Sequence, residues 1–138
     1  MPIDTRKLKS ALLALALLAP VPASHAGTRP AADHSIASAE AFIQTMARGH
    51  FRRAEADFTN QMKQAAPPRK LRHLWTLLVR HGGPFQRTAT TRTVHEEGYT
   101  VVIVRTDFKK RPIGLAVAFD SARRIAGLHL VPPPGARH

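Results

Sequence analysis

The chain has 138 residues, with 21 Lys and Arg against 9 Asp and Glu, eight His and no cysteine. That length suits one domain of ordinary size, and a hydrophobic share of 43% is enough to build a core. Without cysteine there are no disulfides, no thiolate-bound zinc, no iron–sulfur cluster, no thiol nucleophile and no lipid-modified cysteine.

Residues 1–26 read as an export signal. Arg6, Lys7 and Lys9 form a charged start, Ala11 to Ala19 is an unbroken apolar run, and Pro20 and Pro22 close it. Ser24-His25-Ala26 then supplies small residues ahead of a cut before Gly27. The apolar run is far shorter than the roughly 20 residues of a spanning helix, so a retained anchor is not expected. No twin-Arg pair directs it to the folded-protein route. Eighteen basic and eight acidic side chains remain in the 112 residues after the cut, so the positive charge belongs to the domain itself. The expected location is periplasmic or secreted. Disulfides are permitted there, yet this domain must hold together by packing alone.

Residues 27–34 read as a flexible leader, residues 35–131 as a single domain and residues 132–138 as a Pro-rich tail. Asp33 or Ser35 can cap a first helix, in which Ile36, Ala39, Ile43, Met46 and Ala47 recur at helical spacing until Gly49. A shorter helix follows with Phe51, Ala54, Ala56 and Phe58 apolar. Thr59 to Ala66 has no decisive period, although Met62 can pack as part of another turn. Pro67-Pro68 opens the clearest helix, whose Leu71, Leu74, Trp75, Leu78 and Val79 form one apolar stripe; Gly82-Gly83-Pro84 ends it.

After Pro84 the period becomes strand-like. Phe85 to His95 is Thr-rich, and Tyr99 to Phe108 is the strongest strand signal. Glu96-Glu97-Gly98 fits a three-residue hairpin loop, which sets His95 across from Tyr99 and Arg87 across from Asp107. Lys109-Lys110-Arg111-Pro112 turns the chain into a third strand. There Ile113, Leu115, Val117 and Phe119 alternate with Gly114, Ala116 and Ala118, and the bulky side is assigned inward. Asp120 to Arg124 makes the last turn, into Ile125 to Val131, and Pro132-Pro133-Pro134 ends the sheet. Helices first and strands after predict an α+β fold: N-terminal helices on a curved four-stranded antiparallel meander.

From about Ser38 to Pro132 the sequence resembles a bacterial family, domain of unknown function 3887. The resemblance is carried by Ala41-Phe42, Gly49-His50-Phe51, Ala54, Phe58, Met62-Lys63, Leu71, Leu74-Trp75 and Gly83-Pro84-Phe85. It continues through Gly98-Tyr99-Thr100-Val101-Val102, Phe119-Asp120 and Ile125-Ala126-Gly127-Leu128. It implies membership of the cone-shaped superfamily of nuclear transport factor 2, with a cystatin-like arrangement in which helices and a bent sheet enclose a pocket. Such domains are often exported, and often precede an α/β-hydrolase domain. This sequence ends seven residues after Val131 and has no Gly-x-Ser-x-Gly elbow, so no hydrolase of its own is expected. The resemblance brings no catalytic residues, because the family has no established activity.

The residues themselves offer little chemistry. Ser35, Ser38 and Ser121 sit where helix starts and turns use serine. The seven histidines after the cut lack metal-ligand spacing, so neither a metal nor any other cofactor is expected. Of these, His81 suits a helix C-terminus. General acid–base catalysis in a cone-shaped pocket has three candidates, His95, Tyr99 and Asp107, which the expected pairing puts on one sheet face, and Asp57 on the second helix is also available. Against it, Asp107 can simply neutralise Arg87. Phe42, Phe58, Trp75 and Tyr99 are the expected pocket lining, with Trp75 a core residue first.

Basic residues fall in four groups: Arg52-Arg53, Arg69-Lys70-Arg72, Lys109-Lys110-Arg111 and Arg123-Arg124. Arg69, Lys70, Arg72, Lys109, Lys110 and Arg111 are the anion-binding candidates, with lipid phosphates, lipopolysaccharide, acidic glycans or acidic proteins as partners. Nucleic acid is disfavoured, because stacking aromatics are not interleaved with the charges. The expected function is therefore that of an exported binding or accessory domain rather than an enzyme. It takes a small apolar ligand or an envelope partner, an α/β-hydrolase in trans being one form; a small acid–base enzyme and a binder of anionic envelope polymers are the alternatives.

Overall fold

The computed structural model describes residues 20–135. The charged start and apolar run of the expected export signal lie outside them, as do residues 136–138. Helix α1 covers Pro20–Ala47, α2 Phe51–Ala54, a 3-10 turn Glu55–Asp57, α3 Asn60–Ala65 and α4 Pro68–Gly82. Strands follow as β1 Phe85–Glu96, β2 Tyr99–Phe108, β3 Pro112–Phe119 and β4 Ile125–Val131. The sheet is antiparallel and open, in the order β1-β2-β3-β4. The fold is therefore α+β, as the order of periodicities predicts. The chain divides between Asp33 and His34, and the core lies in the second unit. No helix among the described residues is long and apolar enough to cross a membrane.

Helix α1 does not begin at Asp33 or Ser35. Its backbone is already helical from Pro20, through the stretch 27–34 read as a leader. The segment is rich in alanine, the residue that costs a helix least, and Ser35 is a buried position within the helix and no cap. The other end follows the sequence. Gly49 takes φ 81°, its N–H donates to the Met46 carbonyl and the His50 N–H donates to the Thr45 carbonyl, the paired bonds of a Schellman stop.

Ala39, Phe42, Ile43 and Met46 of α1, Leu71, Trp75 and Leu78 of α4, and the inward rows of the strands make one core. Val102 and Val104 of β2 face it, with Leu115, Val117 and Phe119 of β3 and Ile125 of β4. The bulky side of β3 is thus the covered one. Trp75, Phe85 and Phe108 form a closed trio with centroids 5.5–5.6 Å apart, which fastens α4 to the start of the sheet. Phe42 and Phe58 make a second pair at 5.7 Å.

Two local features were invisible to periodicity. Helix α3 is six residues long, too short to show a repeat; Thr59 caps it by accepting the Met62 N–H at 3.0 Å. The second helix is cut short, because Phe58 turns extended and bridges to Ile125 in parallel, and the Thr59 N–H donates to the Ile125 carbonyl.

The hairpin between β1 and β2 corrects an expectation. Glu96 pairs with Tyr99, so the turn has two residues, Glu97 at φ 47° and Gly98 at φ 86°. Two left-handed residues make the primed turn whose twist matches the strands. His95 consequently pairs with Thr100 and not with Tyr99. A bulge between Thr88 and Thr91 restores the register further down, and Arg87 pairs with Asp107 as expected.

Candidate functional site

Alternation along the strands puts Tyr99, Val101, Ile103, Arg105 and Asp107 on the helix-free face, opposite Val102 and Val104. Cross-strand register then builds two rows across this face. One runs Val94, Val101, Ala118, Gly127 and the other Arg92, Ile103, Ala116, His129. Side chains are large on β1 and β2 and minimal at the centre of β3 and on β4 at Gly127. The step leaves an open groove of about 590 Å3, floored by Ala116 and Ala118 and walled by Tyr99, Val101 and Ile103 on one side and His129 and Val131 on the other.

Gly127 keeps the groove open without a backbone reason. A Cβ there would meet nothing closer than 3.4 Å, so a side chain fits and would occupy the groove. Gly114 differs: its Cβ would lie 2.5 Å from the Val131 carbonyl oxygen and 2.7 Å from that of Pro132. The polar groups around the groove are Arg92, Glu96, Glu97, Tyr99 and His129. Tyr99, 44% exposed, also borders a smaller hollow of about 380 Å3 toward α3, beside Asp120 and Met62.

The expected pocket lining is divided. Tyr99 walls this groove, whereas Phe42, Phe58 and Trp75 are core residues whose rings fill the space between helices and sheet. The candidate acid–base set is separated too. Tyr99 and Asp107 share the helix-free face, eight residues apart along β2, but the two-residue turn sends His95 to the opposite face, where its Nδ1 lies 3.3 Å from the Thr100 hydroxyl. Asp107 is engaged by Arg105 at 2.8 Å and Arg87 at 3.1 Å, a structural bracket. Asp57 is exposed on the 3-10 turn.

The anion-binding candidates fall at the two ends of α4, about 20 Å apart by helix rise. Arg69, Lys70 and Arg72 are exposed at its start. Lys109, Lys110 and Arg111 form the β2–β3 turn, which is tied to the helix end by N–H bonds from Lys109 to the Pro84 carbonyl and from Lys110 to the Gly82 carbonyl. Arg72 instead joins Arg52 and Arg53, a grouping that sequence distance hid. Its guanidinium carbon sits 5.2 Å from the Phe51 ring centroid.

Helices followed by an antiparallel meander, with a groove on the uncovered sheet face, define a small α+β domain. Residues 39–128 match the family described as "Protein of unknown function (DUF3887)", and the chain belongs to that family. No curated protein and no solved structure matches it.

Proposed function

We propose that this protein is an exported accessory domain, built on the nuclear transport factor 2-like cone, that binds a small, mainly apolar ligand in the groove of its helix-free sheet face. The observation that carries the reading is the run of minimal side chains Ala116, Ala118 and Gly127 at the centre of that face. An uncovered sheet usually spreads polar residues on its solvent side. Here Val94, Val101, Ile103 and Val131 surround the hollow, and polar groups are confined to a few positions that would orient a bound molecule.

The test uses the full chain and 1-anilinonaphthalene-8-sulfonate as an apolar probe. Ala118 is only partly buried on the open face, so Ala118→Leu fills the groove while leaving the core untouched. Probe fluorescence should rise with the parent chain and fall at least about tenfold in apparent affinity with Ala118→Leu at an unchanged melting temperature. Equal binding by both chains would exclude the groove. Export predicts a mature N-terminus at Gly27, read by N-terminal sequencing of secreted material; an uncut cytoplasmic product would overturn it. An accessory role beside an α/β-hydrolase in trans follows if a hydrolase copurifies with the parent chain and is lost with Ala118→Leu.

A further inference from the structure

Arg52 and Arg53 belong to α2 and Arg72 to the second turn of α4, yet the packing of these helices arranges all three around one hollow of about 620 Å3. Gly49, His50, Phe51 and Pro68 complete its lining, and no carboxylate contributes to it. Glu55 and Asp57 follow in the next turn but do not line it. Among the described residues both ion pairs belong to Asp107, so none of these three guanidiniums has a carboxylate in contact there. Like charges held together repel unless an anion joins them.

One of the three is fixed in place. Phe51 is buried, so its ring is a rigid platform, and the Arg72 guanidinium lies over it at 5.2 Å. A guanidinium drawn to a ring face by cation–π attraction keeps N–H donors for an anion. A carboxylate satisfies one guanidinium, whereas a tetrahedral phosphoryl group offers several charged oxygens to the three cationic side chains that border the hollow. We infer that this hollow is a binding site for a phosphoryl group, free or carried on a lipid headgroup, independent of the sheet groove.

The experiment titrates the full chain with pyrophosphate by calorimetry at low salt. The triple variant Arg52→Gln, Arg53→Gln, Arg72→Gln should lose at least about tenfold in affinity, and Arg72→Lys, which keeps charge but not the planar guanidinium, should lose severalfold. The matched variant Lys109→Gln, Lys110→Gln, Arg111→Gln removes equal charge from the far end of α4 and should bind within about twofold of the parent. All substituted side chains are exposed, and circular dichroism checks the fold. Equal losses in the two triple variants would show attraction to net charge alone and overturn the site, as would absence of pyrophosphate binding. Cosedimentation with phosphatidylcholine vesicles containing phosphatidic acid separates the sources. Retention by the parent and not by the arginine variant assigns a headgroup, and no retention beside intact pyrophosphate binding assigns a free phosphoryl ligand.

Discussion

Single residues set the geometry of this domain at two kinds of position. Gly114 is required by the backbone of the chain leaving β4, and Gly127 is not. Gly114→Ala should therefore cost about 3 kcal/mol through forced displacement of the Val131–Pro132 carbonyls, while Gly127→Ala should stay within about 0.5 kcal/mol, both read as denaturant midpoints. The β3–β4 turn holds the other kind. Asp120 accepts the Ala122 and Arg124 N–H groups at 2.9 Å each, and this fixes Arg123 in the left-handed region at φ 66°. Asp120→Ala should lower stability by about 1–2 kcal/mol, and Arg123→Gly should raise it by about 0.5 kcal/mol, checked by the same unfolding curves. The sequence marked Asp120 to Arg124 as a turn from composition; which residue would take positive φ depended on hydrogen bonds that composition does not encode.

At the scale of elements, α4 was legible because its stripe of Leu71, Leu74, Trp75, Leu78 and Val79 repeats over a length that periodicity can resolve. Trp75 and Leu78 at its centre are buried, as such a stripe requires. Trp75→Ala should cost about 4 kcal/mol by emptying the ring trio with Phe85 and Phe108, and the loss should be visible as a drop in melting temperature. The first hairpin was legible in its strands and misread in its turn, since Glu96-Glu97-Gly98 permits a loop of two residues or of three. Only the twist of the paired strands selects the shorter one, with Glu97 left-handed. Glu97→Asn should accordingly stabilise by about 0.5 kcal/mol, again by thermal unfolding, because Asn tolerates that conformation better. That single step of register decides the face of His95 and with it the candidate acid–base set. The groove is half legible: alternation along β3 places its small residues on the outer face, but aromatic residues at helical spacing suggest a pocket under the helices, where the rings of Phe42, Phe58 and Trp75 instead fill the space.

For the whole molecule, a formal charge of +12 on 138 residues means that long-range repulsion opposes compaction. Only Asp107 draws basic side chains into ion pairs among the described residues, so added salt has more repulsion than attraction to screen. Raising NaCl from about 10 to 150 mM shortens the screening length from about 30 to 8 Å and should raise the melting temperature by a few degrees. A fall would mean that the Asp107 bracket outweighs the summed repulsion.

The order β1-β2-β3-β4 has a consequence for how the chain reaches this state. Every strand pairs with its neighbour in sequence, so each hairpin closes only a short loop and most of the sheet can form from local encounters. The parallel bridge from Phe58 to Ile125 is the contrary case, joining positions 67 residues apart. Closing that loop belongs late on the folding path. Shortening Phe58 should therefore speed unfolding far more than it slows folding, making the bridge a latch on the native state and no part of the nucleus.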